Sequence, residues 1–217
     1  DTGNKGVKLY DESVGEYVYS KLAVVQTKFG DGGMEYPRLV MISDTVSGED
    51  CDYVIAHEIA HQWWYGVVGN DEYNEAWLDE SLTEYSTALF FEKYPEYNLT
   101  YQQIINGAEG NYKFFLQIYT KIEGEVDSSM LRPLDEFATE PEYVHNIYTR
   151  GILMFDTLRS QIGAKKLMAT LKDYYKKFAY QNVSSEEFVA YFSSKAGRNL
   201  EKFFDSWLNG EVKFVYA

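Results

Sequence analysis

"HEIAHQWWYG", residues 57–66, sets His57 and His61 four positions apart with Glu58 between them. Residues i and i+4 of a helix share one face with about 6 Å between them, so two imidazoles at this spacing can offer nitrogens to a single ion about 2 Å from each. Glu58 projects onto a neighbouring part of the same surface, where a carboxylate can take a proton from a polarised water without occupying the ion itself. Two ordinary helix histidines would give the same spacing, so the pair calls for further ligands.

The apolar residues around it, Ile55, Ile59, Trp63 and Val67, recur at four-residue steps and predict a helix running on from Asp50. A short "GVVGNDEYN" turn follows, with Gly66 and Gly69 to permit a reversal, and then a second helical stretch, "EAWLDESLTEYSTALFFEKY", which Pro95 stops. A catalytic zinc site normally has three protein ligands and one open position. The returning helix offers Glu75, Asp79, Glu80 and Glu84, and His145 in "EPEYVHNIY" is the remaining histidine. A helical hairpin of this size brings a side chain about 19 residues on back to the level of the histidines, which is where Glu80 falls.

Upstream, "KLAVVQTKF" (21–29) and "RLVMIS" (38–43) read as strands separated by the glycine-containing "GDGGMEYP", and the opening "DTGNKGVK" reads as a linker. Downstream the periodicity is helical over 99–119, 141–161, 163–178, 184–196 and 199–209. Ser184 and Glu187 form a capping-box pattern, and Asn199 is a candidate cap. The expectation is an α+β fold: a β-rich part, 1–49, packed on a larger helical part, 50–217.

Composition narrows the function classes. A formal charge of −14 excludes the basic footprint that nucleic acid or an anionic membrane demands. It suits neutral or cationic partners, such as a peptide with a free α-amine. The apolar runs are far shorter than the roughly 20 residues of a spanning helix, so no membrane insertion of this chain is expected. One cysteine, Cys51, allows no internal disulfide and no thiolate cage; it reads as a small half-buried residue at a helix start. The 20 tyrosines and 13 phenylalanines, at helical spacing, read as core and boundary residues. An opening at Asp1 suggests a piece of a larger protein, whose compartment the sequence leaves open.

His57-Glu58-Ile59-Ala60-His61, then 18 residues, then Glu80, resembles the gluzincin zinc peptidases. The surrounding "GGMEYP", "HEIAHQWWYGVV" and "EAWLDESLTEY" are similar to the zinc aminopeptidases that include aminopeptidase N and leukotriene hydrolase. The resemblance runs from about residue 17 to 160, and "LEKFFDSWL" (200–208) extends it. It implies a thermolysin-like catalytic domain over 1–217, with flanking domains in the parent protein and one Zn²⁺ per chain held by His57, His61 and Glu80. Glu58 would be the base. Gly32-Gly33-Met34-Glu35-Tyr36 corresponds to the family's Gly-Ala-Met-Glu-Asn motif, so that Glu35 would bind the substrate α-amine while Gly32, Gly33 and Met34 line the peptide. Tyr148 in Tyr148-Thr149-Arg150-Gly151 matches a Tyr-x-Lys-Gly pattern whose phenol donates to the oxyanion. Tyr36, Ser81 and Arg150 depart from the family's asparagine, glycine and lysine. The implied activity is removal of N-terminal residues from peptides. An endopeptidase without amine selection and an inactive peptide-binding scaffold are the alternatives.

Overall fold

The computed structural model describes residues 1–215, so the last two residues of the expected 1–217 unit lie outside the described residues. The chain opens with a helix, α1 (Thr2–Ser13), where the sequence suggested a linker. Gly3 and Gly6 lower helix propensity and hid it. Their cost is offset by packing: a Cβ at Gly6 would stand 3.0 Å from Ile59 Cγ2, so the glycine lets α1 lie close against the histidine-bearing helix. The Tyr10 hydroxyl crosses the same interface, 3.3 Å from the Ala56 carbonyl and 3.1 Å from that of Ser86. The part up to residue 49 is therefore helix followed by sheet, a correction to the β-rich reading.

Strands β1 (Ala23–Thr27), β2 (Gly33–Met34) and β3 (Leu39–Ser43) make a sheet of order β1-β3-β2. β1 runs parallel to β3, and β2 pairs antiparallel with β3 on its other side. Central β3 buries Val40 and Ile42, whereas β1 exposes Val24 and Val25.

Helix α2 (Gly48–Ala60) carries Cys51, half-buried in its first turns, and ends at His61. Trp63 and Val67 keep the apolar spacing but belong to the turn beyond, so the expected helix runs too long. In that turn a Cβ at Gly66 would sit 2.9 Å from the Gln62 carbonyl oxygen, a backbone approach only glycine allows. β4 (Val68–Gly69) then pairs with β5 (Gln181–Asn182), and α3 (Trp77–Lys93) returns along α2.

After α4 (Tyr101–Glu123), the expected helix 141–161 is divided into α5 (Glu140–Val144), a π-helical turn over His145–Thr149, and α6 (Arg150–Ile162). Helices α7 (Ala164–Phe178), α8 (Ser185–Ala196) and α9 (Glu201–Leu208) complete the lobe. Ser184 and Glu187 do form a capping box, and Asn199 Oδ1 accepts from the Glu201 N–H. The core is aromatic. Trp63, Trp64 and Trp77 are buried, and each indole N–H finds an acceptor, in Gly15 O, Ser86 Oγ and Ser185 Oγ. Among the described residues no helix is long and apolar enough to cross a membrane.

Candidate metal and substrate site

α2 and α3 pack side by side, and their facing side chains converge. His57 Nε2 lies 3.1 Å from His61 Nε2, and Glu80 Oε2 lies 3.2 Å from both. Four donors about 2.0 Å from a tetrahedral zinc would stand about 3.3 Å apart, so this triangle has the dimensions of one face of such a site. The Trp64 carbonyl, 3.0 Å from His61 Nδ1, can only accept, which puts the neutral ring's proton on Nδ1 and turns the Nε2 lone pair into the triangle. Thr83 Oγ1, 3.2 Å away, supports the same nitrogen. On the other imidazole, Glu84 Oε1 approaches His57 Nδ1 to 3.0 Å at too poor an angle for a hydrogen bond. Tyr53 donates to the second oxygen of Glu84 at 2.6 Å.

The charges explain why these groups can be buried together. Burial pulls both imidazoles towards neutrality, but Glu80 and Glu84 overcome this for His57 and raise it well above the ordinary histidine range. Glu80 does the same for His61, whose value rises to about 9 against the pull of burial. Burial alone would raise Glu80; the two imidazoles hold it instead far below the usual carboxylate range. The carboxylates thus favour positive charge among these buried nitrogens. Donor types, distances and charge all fit zinc.

Glu58 lies beside this cluster, one oxygen within 4.8 Å of both His61 and Glu35. Burial raises its carboxyl to about 7, and its Oε2 has no hydrogen-bond partner among the described residues. β2 comes close over it. A Cβ at Gly33 would overlap Glu58 Oε1 and lie 2.6 Å from Cδ, so a side chain at 33 and Glu58 in its present position exclude one another.

Gly32, Gly33, Met34 and Glu35 line a cleft of about 500 Å³ together with His57, Glu58, His61, Glu80 and Tyr148. Glu35 follows directly on β2 and is buried, with other acids around it: Glu58 on one side, Glu72 and Asp79 on the other. The Tyr148 ring stacks on His57 with centroids 5.8 Å apart and meets Tyr143 edge-on. Burial and the Glu80 carboxylate hold its phenol well above the ordinary value, so it is a proton donor at neutral pH.

The other candidates point elsewhere. His145 stacks on Phe115, centroids 4.7 Å apart, and is not among the residues lining the cleft. Glu75 accepts from the Ser185 N–H at the start of α8, and Asp79 accepts from Asn70.

Sequence reasoning passed over Gln62. Its Nε2 donates to the carbonyls of Glu35 and Tyr36, and its Oε1 accepts from the Arg38 N–H at 2.8 Å. That grip holds the Glu35 loop to the end of α2 and stabilises Arg38 in a left-handed conformation, φ 71°. A lone amide within the aromatic run "HQWWY" was the available signal.

Residues 4–207 match the peptidase family M1 domain. The chain is 25% identical over 226 aligned positions to aminopeptidase M1-D of Oryza sativa subsp. japonica, covering 95% of this chain and 24% of that protein. It is 27% identical to leukotriene A-4 hydrolase of Xenopus laevis over 88% of this chain and 32% of the relative. The chain thus spans about a quarter to a third of the length of these relatives. In fold it is similar to an M1 zinc metallopeptidase from Deinococcus radiodurans, with TM-score 0.75 and 19% identity over 99% of this chain and 45% of that one. Native leukotriene A4 hydrolase from Saccharomyces cerevisiae gives TM-score 0.74 and 21% identity over 94% and 34%. The family match begins inside α1, ahead of the first motif, and takes in every residue that meets in the cleft; the chain belongs to peptidase family M1.

Proposed function

We propose that the chain is the catalytic domain, residues 1–217, of a zinc aminopeptidase. The observation that carries this reading is the triangle of His57 Nε2, His61 Nε2 and Glu80 Oε2 beside Glu58, whose Oε2 has no hydrogen-bond partner among the described residues. The family relationship, with relatives named aminopeptidases, supports it. His57, His61 and Glu80 would hold one Zn²⁺, which when bound supplies Lewis acidity towards a peptide carbonyl and water.

The protein's own groups account for the rest. Glu58, raised to about 7 by burial, is poised to accept a proton from the attacking water near neutral pH and to return it to the leaving amine. Tyr148 keeps its proton and donates to the oxygen that becomes negative as the carbonyl is attacked. Glu35 offers a buried carboxylate to the α-ammonium of a peptide lying along Gly32 and Gly33. That contact would make the enzyme an exopeptidase acting on free N-termini, with flanking regions of the parent protein completing the cleft.

Metal analysis of the purified chain, combined with hydrolysis of matched free and acetylated peptides, tests the reading. One zinc per chain and faster cleavage of the free peptide are expected. Equal rates would favour an endopeptidase, and a zinc-loaded protein without turnover would favour a scaffold.

A further inference from the structure

Tyr148 is the fourth residue of the π-helical turn His145–Thr149, in which the Arg150 N–H donates to the His145 carbonyl five residues back. A π turn inserts one residue into a helix at a cost in backbone geometry, and it persists where its surroundings hold it. Here α3 is the holder. Ser81, the residue immediately after Glu80, donates its hydroxyl to the Ile147 carbonyl at 2.9 Å, and Ser81 and Ile147 are both fully buried. The approach leaves no slack. A Cβ at Gly151 would overlap Ser81 Oγ and Cβ and stand 3.0 Å from Ser81 Cα, so glycine at 151 is what admits the serine. Farther round the turn, Asn146 accepts from the Tyr112 hydroxyl and donates to the Asp127 carbonyl, each at 3.1 Å. Those bonds fix the side of the turn away from the cleft. The Ser81 bond ties the backbone of the turn to the helix that carries Glu80, and the Tyr148 phenol reaches the Glu80 carboxylate itself.

We propose that Ser81 is a positioning residue: by pinning the Ile147 carbonyl it sets the Tyr148 phenol in register with Glu80, so that oxyanion donor and metal ligand move as one unit. The inference rests on the role given to Tyr148 above. Displacing a reacting group by about 1 Å can cost on the order of 10²-fold in rate, and the loss cannot exceed that of deleting the donor itself, about 10²- to 10³-fold.

A double-mutant cycle in the zinc-loaded chain tests it. Ser81→Ala removes one oxygen and occupies less space, so it introduces no clash. It should lower kcat about 10-fold with KM within about 2-fold and zinc content unchanged, and should cost less than about 2-fold in a Tyr148→Phe background. In the metal-free protein, hydrogen exchange should quicken at the amides of residues 145–151 and not along α3. Wild-type kcat in Ser81→Ala, losses that multiply in the double mutant, loss of zinc, or unchanged exchange at 145–151 would each overturn the inference. A Tyr148→Phe variant with wild-type kcat is a separate failure: it removes the role of Tyr148 and this inference with it.

Discussion

The two walls of the cleft are built differently. The helical wall, α2 with α3 and the π turn, buries its polar groups and, His57 Nδ1 and Glu58 Oε2 aside, ties them to their neighbours: His61 to Trp64 and Thr83, Ser81 to Ile147. The strand wall is a two-residue strand followed by Glu35, held from behind by the Gln62 amide through backbone carbonyls, with the Glu35 carboxylate set among other acids. Behind β2 the sheet thins from buried β3 to exposed β1. On the proposed roles, groups that must be placed to fractions of an ångström sit on the interlocked side, and the group that would only have to receive a cation sits on the sparser one. Chemistry and selectivity should therefore fail separately.

Glu80→Ala breaks the helical wall where it matters most and should lose most of the zinc, and the activity with it. Metal content equal to the wild type would show that Glu80 is no ligand. Glu58→Gln leaves the ligands intact and should retain zinc while turnover falls by about 10²- to 10⁴-fold, the usual worth of a general base. Near-normal kcat in the zinc-replete variant would remove Glu58 from the mechanism. On the strand wall, Glu35→Gln should reduce kcat/KM for free-amine peptides by about 10-fold or more, since hydrogen bonds to charged groups contribute about 1.5–3 kcal/mol, and leave acetylated peptides unaffected. A parallel fall for both substrates would mean that Glu35 supports the wall rather than the amine. The smallest effect belongs to the sheet's outer edge. Val25→Thr on exposed β1 should change stability by no more than about 0.5 kcal/mol, against about 2–5 kcal/mol for Ile42→Ala in β3, both read from denaturant melts.

The same contrast decides what could be read in the sequence. His57, His61 and Glu80 meet through spacings of 4 and 19 residues on two consecutive helices, and such local geometry is written in periodicity. The end of α2 was not legible, because Trp63 and Val67 keep the helical spacing while packing from a turn. α1 was concealed by glycines whose value lies in contact with another helix. The π turn changes no residue type, since one inserted position in "HNIYT" leaves the apolar pattern helical on either side. Strand order was equally hidden: whether two short runs pair parallel or as neighbours in a hairpin depends on what comes between them in space, here β2 on the opposite side of β3.

The short pairing of β4 with β5 gives the site a timetable. Val68 and Gly69 lie in the loop between α2 and α3, and their partners Gln181 and Asn182 come more than a hundred residues later in the chain. The proposed zinc ligands need only a hairpin of neighbouring helices to meet, a closure that is fast and entropically cheap. Tyr148, and the strap that holds the hairpin's loop, wait on distant segments, and such long-range contacts form slowly. On the proposed assignments, the groups that would hold a metal should therefore be able to meet before the cleft around them is complete.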